Sequence, residues 1–133
     1  MFYRLTTSFL ARLISLPLIL LLSATSASAD AALVMAEEPG CIWCARWNAE
    51  IAPIYPKTPE GAAAPLRRIN IQNPVPDDIA LLRRVNYTPT FIILIDGVER
   101  NRIEGYPDEA FFWQLLGHML KQEGVAFGDK LEN

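Results

Sequence analysis

Histidine and cysteine are scarce, with one and two copies in 133 residues. A closed zinc site takes about four such ligands, so no metal site is expected. The two cysteines, Cys41 and Cys44, form a C-x-x-C pair, but Ala45 stands where covalent haem attachment would need histidine. Positive charge is also short, at 12 basic against 15 acidic residues. The arginine pairs Arg67-Arg68 and Arg83-Arg84 are scattered and read as solvated faces, which leaves no electrostatic footprint for nucleic acid. No apolar run reaches the roughly 20 residues of a membrane span. Internal repeats and low-complexity blocks are missing as well.

The first 29 residues have the pattern of a secretory signal peptide. Arg4 and Arg12 give a positive start without an acidic residue. Leu13 to Leu22 is a short apolar stretch, and Ala27-Ser28-Ala29 supplies a small-residue cleavage site. Cleavage after Ala29 is expected to deliver a periplasmic, soluble domain of residues 30–133. Losing the two leader arginines takes the basic count from 12 to 10 and the net charge from −3 to −5. Both cysteines then lie in an oxidising compartment, where a disulfide persists.

Ala32 to Ala36 reads as a buried strand, broken by Glu37-Glu38-Pro39-Gly40. A helix is expected from Cys41 to about Ala52, with Cys44, Trp47 and Ile51 at helical spacing and Pro53 discouraging continuation. Four prolines and Gly61 mark residues 53–65 as loop. Leu66 to Ile71 is a second strand, and Asp77-Asp78 suit the start of a helix burying Ile79, Leu82 and Val85. The unbroken run Phe91 to Ile95 fits a central strand covered on both faces. Asp96-Gly97 signals a hairpin returning through Val98 to Ile103. Asp108 to about Gln122 is the longest helix, burying Phe111, Phe112, Leu115, Leu116, Met119 and Leu120. Residues 123–133 read as a polar tail. The order β-α-β-α-β-β-α calls for an α/β domain with a mixed four-stranded sheet flanked by helices.

The cysteine pair sits where a strand passes through a tight loop into a helix. Free backbone N–H groups and the positive end of the helix dipole stabilise a thiolate there, and the thiolate is the attacking species in disulfide exchange. Cys41 is therefore the expected nucleophile and Cys44, one turn on, the resolving thiol. A purely structural bridge is the competing reading. Closing so short a loop restrains the unfolded chain by only about 2 kcal/mol, which favours redox use.

Cys41-Ile42-Trp43-Cys44, Thr88-Pro89-Thr90, Asp96-Gly97 and Gly105-Tyr106 occur in the order seen in the thioredoxin superfamily, and the chain resembles that family over nearly the whole mature domain. The resemblance implies a thioredoxin-like fold and a thiol–disulfide oxidoreductase that needs no cofactor. It also implies a cis bond before Pro89, facing the cysteine pair, with neighbouring backbone groups open to substrate strand addition. Thr88 would bring a hydroxyl near the pair, and Trp43 with Ile42 a hydrophobic docking surface, although packing is an equal reading for Trp43. The family's buried aspartate maps to Met35, leaving Glu37 or Glu38 as substitute proton acceptors or mere surface charges. Ile42-Trp43 brings no positive side chain, which points to a reductant. His118, Trp47, Trp113 and the Phe pair read as packing or surface residues, and Arg46 as a solvated helix face.

Glu38-Pro39-Gly40-Cys41, Ile54 to Thr58, Thr88 to Phe91 and Arg102 to Pro107 are similar to the SoxS-type thioredoxin-like proteins of bacterial sulfur-oxidation clusters. That likeness implies a reductase whose protein thiol or disulfide substrate is a sulfur-carrier protein, recharged by a membrane thiol-electron carrier; a monomer is expected. A general periplasmic thiol reductase or isomerase, serving for instance cytochrome maturation, is the nearest alternative. A non-catalytic module holding copper(I) or a structural disulfide is another, but its usual methionine ligands are few.

Overall fold

The computed structural model describes residues 29–128; the leader up to residue 28 and residues 129–133 lie outside the described residues. Four strands, β1 (Ala31–Glu37), β2 (Leu66–Asn70), β3 (Thr90–Ile95) and β4 (Val98–Glu104), form one sheet in the order β2-β1-β3-β4. β1 runs parallel to β2 and antiparallel to β3, and β3 antiparallel to β4. The helices are α1 (Ile42–Glu50), α2 (Pro59–Ala63) and α3 (Glu109–Gln122), with a 3₁₀ turn at Tyr55–Lys57. This is the mixed, helix-flanked sheet expected of a thioredoxin-like fold.

Side-chain alternation along the central strands sorts two cores. Leu33 and Met35 of β1 and Phe91 and Ile93 of β3 share one face with Trp47, Tyr55, Phe112 and Leu116. Trp47 is the hub, with its ring centroid 5.1 Å from Phe91 and 5.6 Å from Phe112. A buried side chain of such size stabilises the fold by about 1.5–3 kcal/mol. Val34 and Ala36 of β1 and Ile92 and Leu94 of β3 point the other way, toward Ile69, Ile79 and Val85.

The second face departs from the sequence expectation. No helix forms from Asp77; residues 71–89 cross the face as irregular chain with a single bridge, Ala80 to Val98. The reason lies in where the backbone groups go. Ala80 N–H donates to Gly97 O at 2.9 Å and Glu99 N–H to Ala80 O at 2.9 Å. Leu82 N–H donates to the Glu99 carboxylate at 2.8 Å, and the carbonyls of Arg83 and Arg84 accept from Arg102. β4 thus satisfies the groups that a helix would have satisfied internally. Ile79 and Val85 are buried as expected, while Leu82 is 70% exposed. Gly97 makes the close approach possible: a Cβ there would lie 2.6 Å from Asp78 O.

Helix appears instead in the proline-rich stretch expected to be loop. Thr58 caps α2, its hydroxyl accepting from Gly61 N–H at 3.0 Å, and Pro59 occupies the first turn, where its missing N–H costs nothing. In α3, Asp108 is the N-cap, Phe112, Leu116, Met119 and Leu120 face inward, and Phe111 is exposed, against expectation. Phe111 lies one residue, about 100° around the helix, from the stripe set by Phe112 and Leu116. After α3 the chain is less polar than its composition suggested, since Val125 and Phe127 pack against the core.

Candidate functional site

The site forms at the end of the sheet where β1 finishes and β3 begins, because Ala36 pairs with Thr90. The cysteine turn follows β1, Thr88-Pro89 precedes β3, and Gly105 to Pro107 follow β4. Gly105 N–H donates to Pro89 O at 2.7 Å, which ties the last two segments together.

Gly40 adopts a φ of +80°, a conformation disfavoured for other residues, and lets Cys41 N–H reach back toward Glu38 O at 3.4 Å. Cys41 then caps α1 with extended backbone, its Sγ accepting from Cys44 N–H at 3.1 Å. The two cysteines form a disulfide, with Cα atoms 5.2 Å apart. They are not equivalent: Cys41 is half-buried, whereas Cys44 is buried in the aromatic core. Cys41 is thus the more accessible sulfur of the pair. Once reduced, a Cys41 thiolate would keep the helix N-terminal N–H beside it.

Ile42 and Trp43, between the cysteines, are 70% and 49% exposed. The Thr88–Pro89 peptide bond is cis, Pro89 is buried and Thr88 half-buried. Neither the N–H nor the C=O of Thr88 has a hydrogen-bond partner among the described residues, while its hydroxyl donates to Glu38 Oε1 at 2.8 Å. Of the two carboxylates weighed as proton acceptors, Glu38 is engaged by Thr88. Glu37 is engaged by Arg68 at 2.8 Å and by Asn48 Nδ2 at 3.4 Å. Met35 is fully buried, with Arg68 Nη1 3.3 Å from its sulfur.

Two features were missed in the sequence reading. Tyr87 is 64% exposed, and its place directly before Thr88-Pro89 was the only signal. Arg46 is not a free solvated residue. Its guanidinium lies 6.0 Å from the Trp43 ring centroid and 5.7 Å from that of Tyr106, and it bonds Glu50 at 2.9 Å and Pro107 O at 3.3 Å. The Tyr106 hydroxyl donates to Glu50 at 2.6 Å. The hydrogen bonds from Tyr106 and then Arg46 hold the Glu50 carboxyl below its ordinary range. Burial, reinforced by Glu50, pushes the Tyr106 hydroxyl up. The i,i+4 spacing of Arg46 and Glu50 was legible; their contact with Tyr106 across 56 residues was not. His118 lies exposed on α3, and Trp113 stacks on Tyr55 at 6.0 Å.

No protein-family model and no curated protein matches the chain. Among solved structures it is similar to the reduced form of the periplasmic thioredoxin SoxS from Paracoccus pantotrophus. Identity is 49% and the TM-score 0.70, over 71% of this chain and 99% of that one. With that identity, a helix-capping C-x-x-C disulfide and a cis-proline at the same sheet end, the chain belongs to the thioredoxin superfamily as a SoxS-type thioredoxin, a thiol–disulfide oxidoreductase.

Proposed function

We propose that this protein is an exported reductase that keeps the carrier-protein cysteine of a sulfur-oxidation system in its thiol form. In the reduced enzyme the Cys41 thiolate attacks one sulfur of a substrate disulfide. A mixed disulfide forms at Cys41, and the other substrate sulfur leaves as a thiolate that takes up a proton. Cys44 then attacks Cys41 Sγ, expels the second substrate thiol and closes the Cys41–Cys44 disulfide. Two electrons pass to the substrate, and a membrane thiol carrier restores the dithiol. Ile42 and Trp43 dock apolar substrate surface, Pro89 shapes the wall beside them, and the open backbone groups of Thr88 pair with substrate main chain.

The observation that carries the reductive direction is the exposed, uncharged Ile42-Trp43 pair. It adds no positive charge to favour the thiolate, so the reduced form gains no extra stability from it. The sulfur-oxidation role is supported by the likeness to SoxS. Equilibration against glutathione should give a potential on the reducing side of roughly −180 mV, and a value near about −120 mV would make the protein an oxidant. In periplasmic extract, Cys44→Ser should stay covalently joined through Cys41 to its substrate. Recovery of a sulfur-carrier protein supports the role; recovery of cytochrome-maturation proteins instead assigns the reductase elsewhere.

A further inference from the structure

We infer that Glu38 is a positioning residue for substrate recognition, acting through Thr88. This rests on Thr88 being the residue that pairs with substrate main chain. Two bonds converge on Glu38. Its carbonyl receives Cys41 N–H at 3.4 Å, and its carboxylate receives the Thr88 hydroxyl at 2.8 Å. One residue thus touches both the turn that carries the attacking sulfur and the segment that reads the substrate, which are far apart in sequence.

The need for such a tie follows from the segment's construction. Tyr87 O accepts from the Thr90 hydroxyl at 2.6 Å and Pro89 O from Gly105 N–H at 2.7 Å. Thr88, between them, has no main-chain partner among the described residues, and its only hydrogen bond there is the one from its hydroxyl to Glu38. Those free main-chain groups are useful to a substrate only if they are held in one orientation, because binding otherwise loses what ordering them costs. A carboxylate is a strong acceptor for a hydroxyl, and the next contact of its residue is the Cys41 backbone. Glu38 therefore sets the distance between the site of attack and the site of main-chain recognition.

The consequence is selective. A substrate that presents a polypeptide backbone depends on the tie, whereas a small disulfide without one does not. Insulin reduction recharged by dithiothreitol and direct reduction of the aromatic disulfide DTNB separate the two. Wild-type turnover of insulin is measured first, and its failure would overturn the reductase reading itself. Given that turnover, Glu38→Ala should raise the KM for insulin about tenfold, the scale of one lost positional hydrogen bond, with the DTNB rate within about twofold of wild type. Glu38→Gln, whose amide oxygen still accepts from Thr88, should recover most of the loss. Thr88→Val should match Glu38→Ala on insulin, and the double variant should be no worse than either single one. Thr88→Val carries the test if Glu38→Ala does not fold. Equal losses on both substrates, or equal losses in Glu38→Gln and Glu38→Ala, would assign the effect to charge near Cys41 and overturn the inference. An unchanged insulin KM would overturn it as well.

Discussion

The two faces of the sheet are closed by different physics. On one, α1 and α3 lay Trp47, Phe112 and Leu116 over Leu33, Phe91 and Ile93, and the cover is almost wholly apolar. On the other, residues 71–89 lie over Val34, Ile92 and Leu94 and contribute only Ile79 and Val85 as buried members of that core. What holds that cover is the Glu99–Arg102 pair on β4. Both side chains are nearly fully buried, and they bond each other at 2.5 and 2.7 Å as well as the backbone of Leu82, Arg83 and Arg84. The helical face carries the cysteines at the packed start of α1, while the irregular one delivers Thr88-Pro89 without the constraint of helical geometry. A polar clamp is suited to that task because it fixes backbone groups directly.

Removing a large aromatic from the first face should have the largest effect. Phe112→Ala should cost about 3–5 kcal/mol in urea unfolding, with turnover per folded molecule retained. Arg102→Met should follow at about 3 kcal/mol, because it strands the Glu99 carboxylate in a buried setting. Unlike Phe112→Ala, it should also raise the KM for a protein disulfide, since Arg102 anchors the chain that leads to Thr88. Glu99→Gln added to Arg102→Met should recover at least about 1 kcal/mol by removing the stranded charge. If Arg102→Met costs less than about 1 kcal/mol, the second face is held by its apolar anchors and the contrast disappears.

The same contrast explains what could be read from the sequence. On the helical face, local signals agreed with the fold: the run of Phe91 to Ile95, the Asp96-Gly97 hairpin, the spacing of Cys44 and Trp47, and the stripe of α3 led to the correct elements. The meeting of the Cys41–Cys44 pair with Thr88-Pro89 at the candidate site was legible because these residues are adjacent in sequence or follow local rules. On the other face, Asp77-Asp78 and the spacing of Ile79, Leu82 and Val85 resemble a helix, yet their backbone partners lie on β4, near Glu99 and Arg102. Those partners are distant in sequence and leave no periodic mark. Glu38–Thr88 was hidden for the same reason, since 50 residues separate its ends. The proline-rich stretch misled in the opposite direction, because Pro59 starts α2 and does not break it.

Acid should loosen the second face before the first. Burial works to raise the Glu99 carboxyl, but Arg102 and the Leu82 N–H outweigh it, so the group is held below its ordinary value of 4.5. A carboxyl depressed on folding binds fewer protons in the folded chain, so its stabilisation is complete above the unfolded value and is lost as pH falls through the folded one. Below about pH 4.5, wild-type stability should therefore decline with a slope that flattens in the Glu99→Gln/Arg102→Met variant. Glu50, depressed by Tyr106 and Arg46, and Asp78, depressed by Arg67, act in the same direction with smaller weight because both carboxylates are open to solvent. Hydrogen exchange in the same range should show the amides of residues 80 and 82 opening ahead of those in α3. Simultaneous opening of both faces would count against separate anchoring.

The smallest expected effect makes the sharpest distinction. Leu82 and Ile79 lie three residues apart, so a helix over this segment would set them on one buried face, and Leu82→Ala would then cost about 2–5 kcal/mol. In the structure the chain is not helical there: Ile79 is buried, while Leu82 is 70% exposed and contributes its N–H to Glu99. Alanine keeps that N–H, so Leu82→Ala should change stability by no more than about 0.5 kcal/mol. Ile79→Ala should cost at least about 2 kcal/mol, measured by the same urea titration. A large loss at Leu82 would mean that the segment packs as the helix its spacing suggests, and the β4 clamp would lose its role. A negligible change at Leu82 beside a large one at Ile79 would show that this face is held by single buried side chains and by backbone bonds to Glu99 and Arg102, with no helical stripe involved.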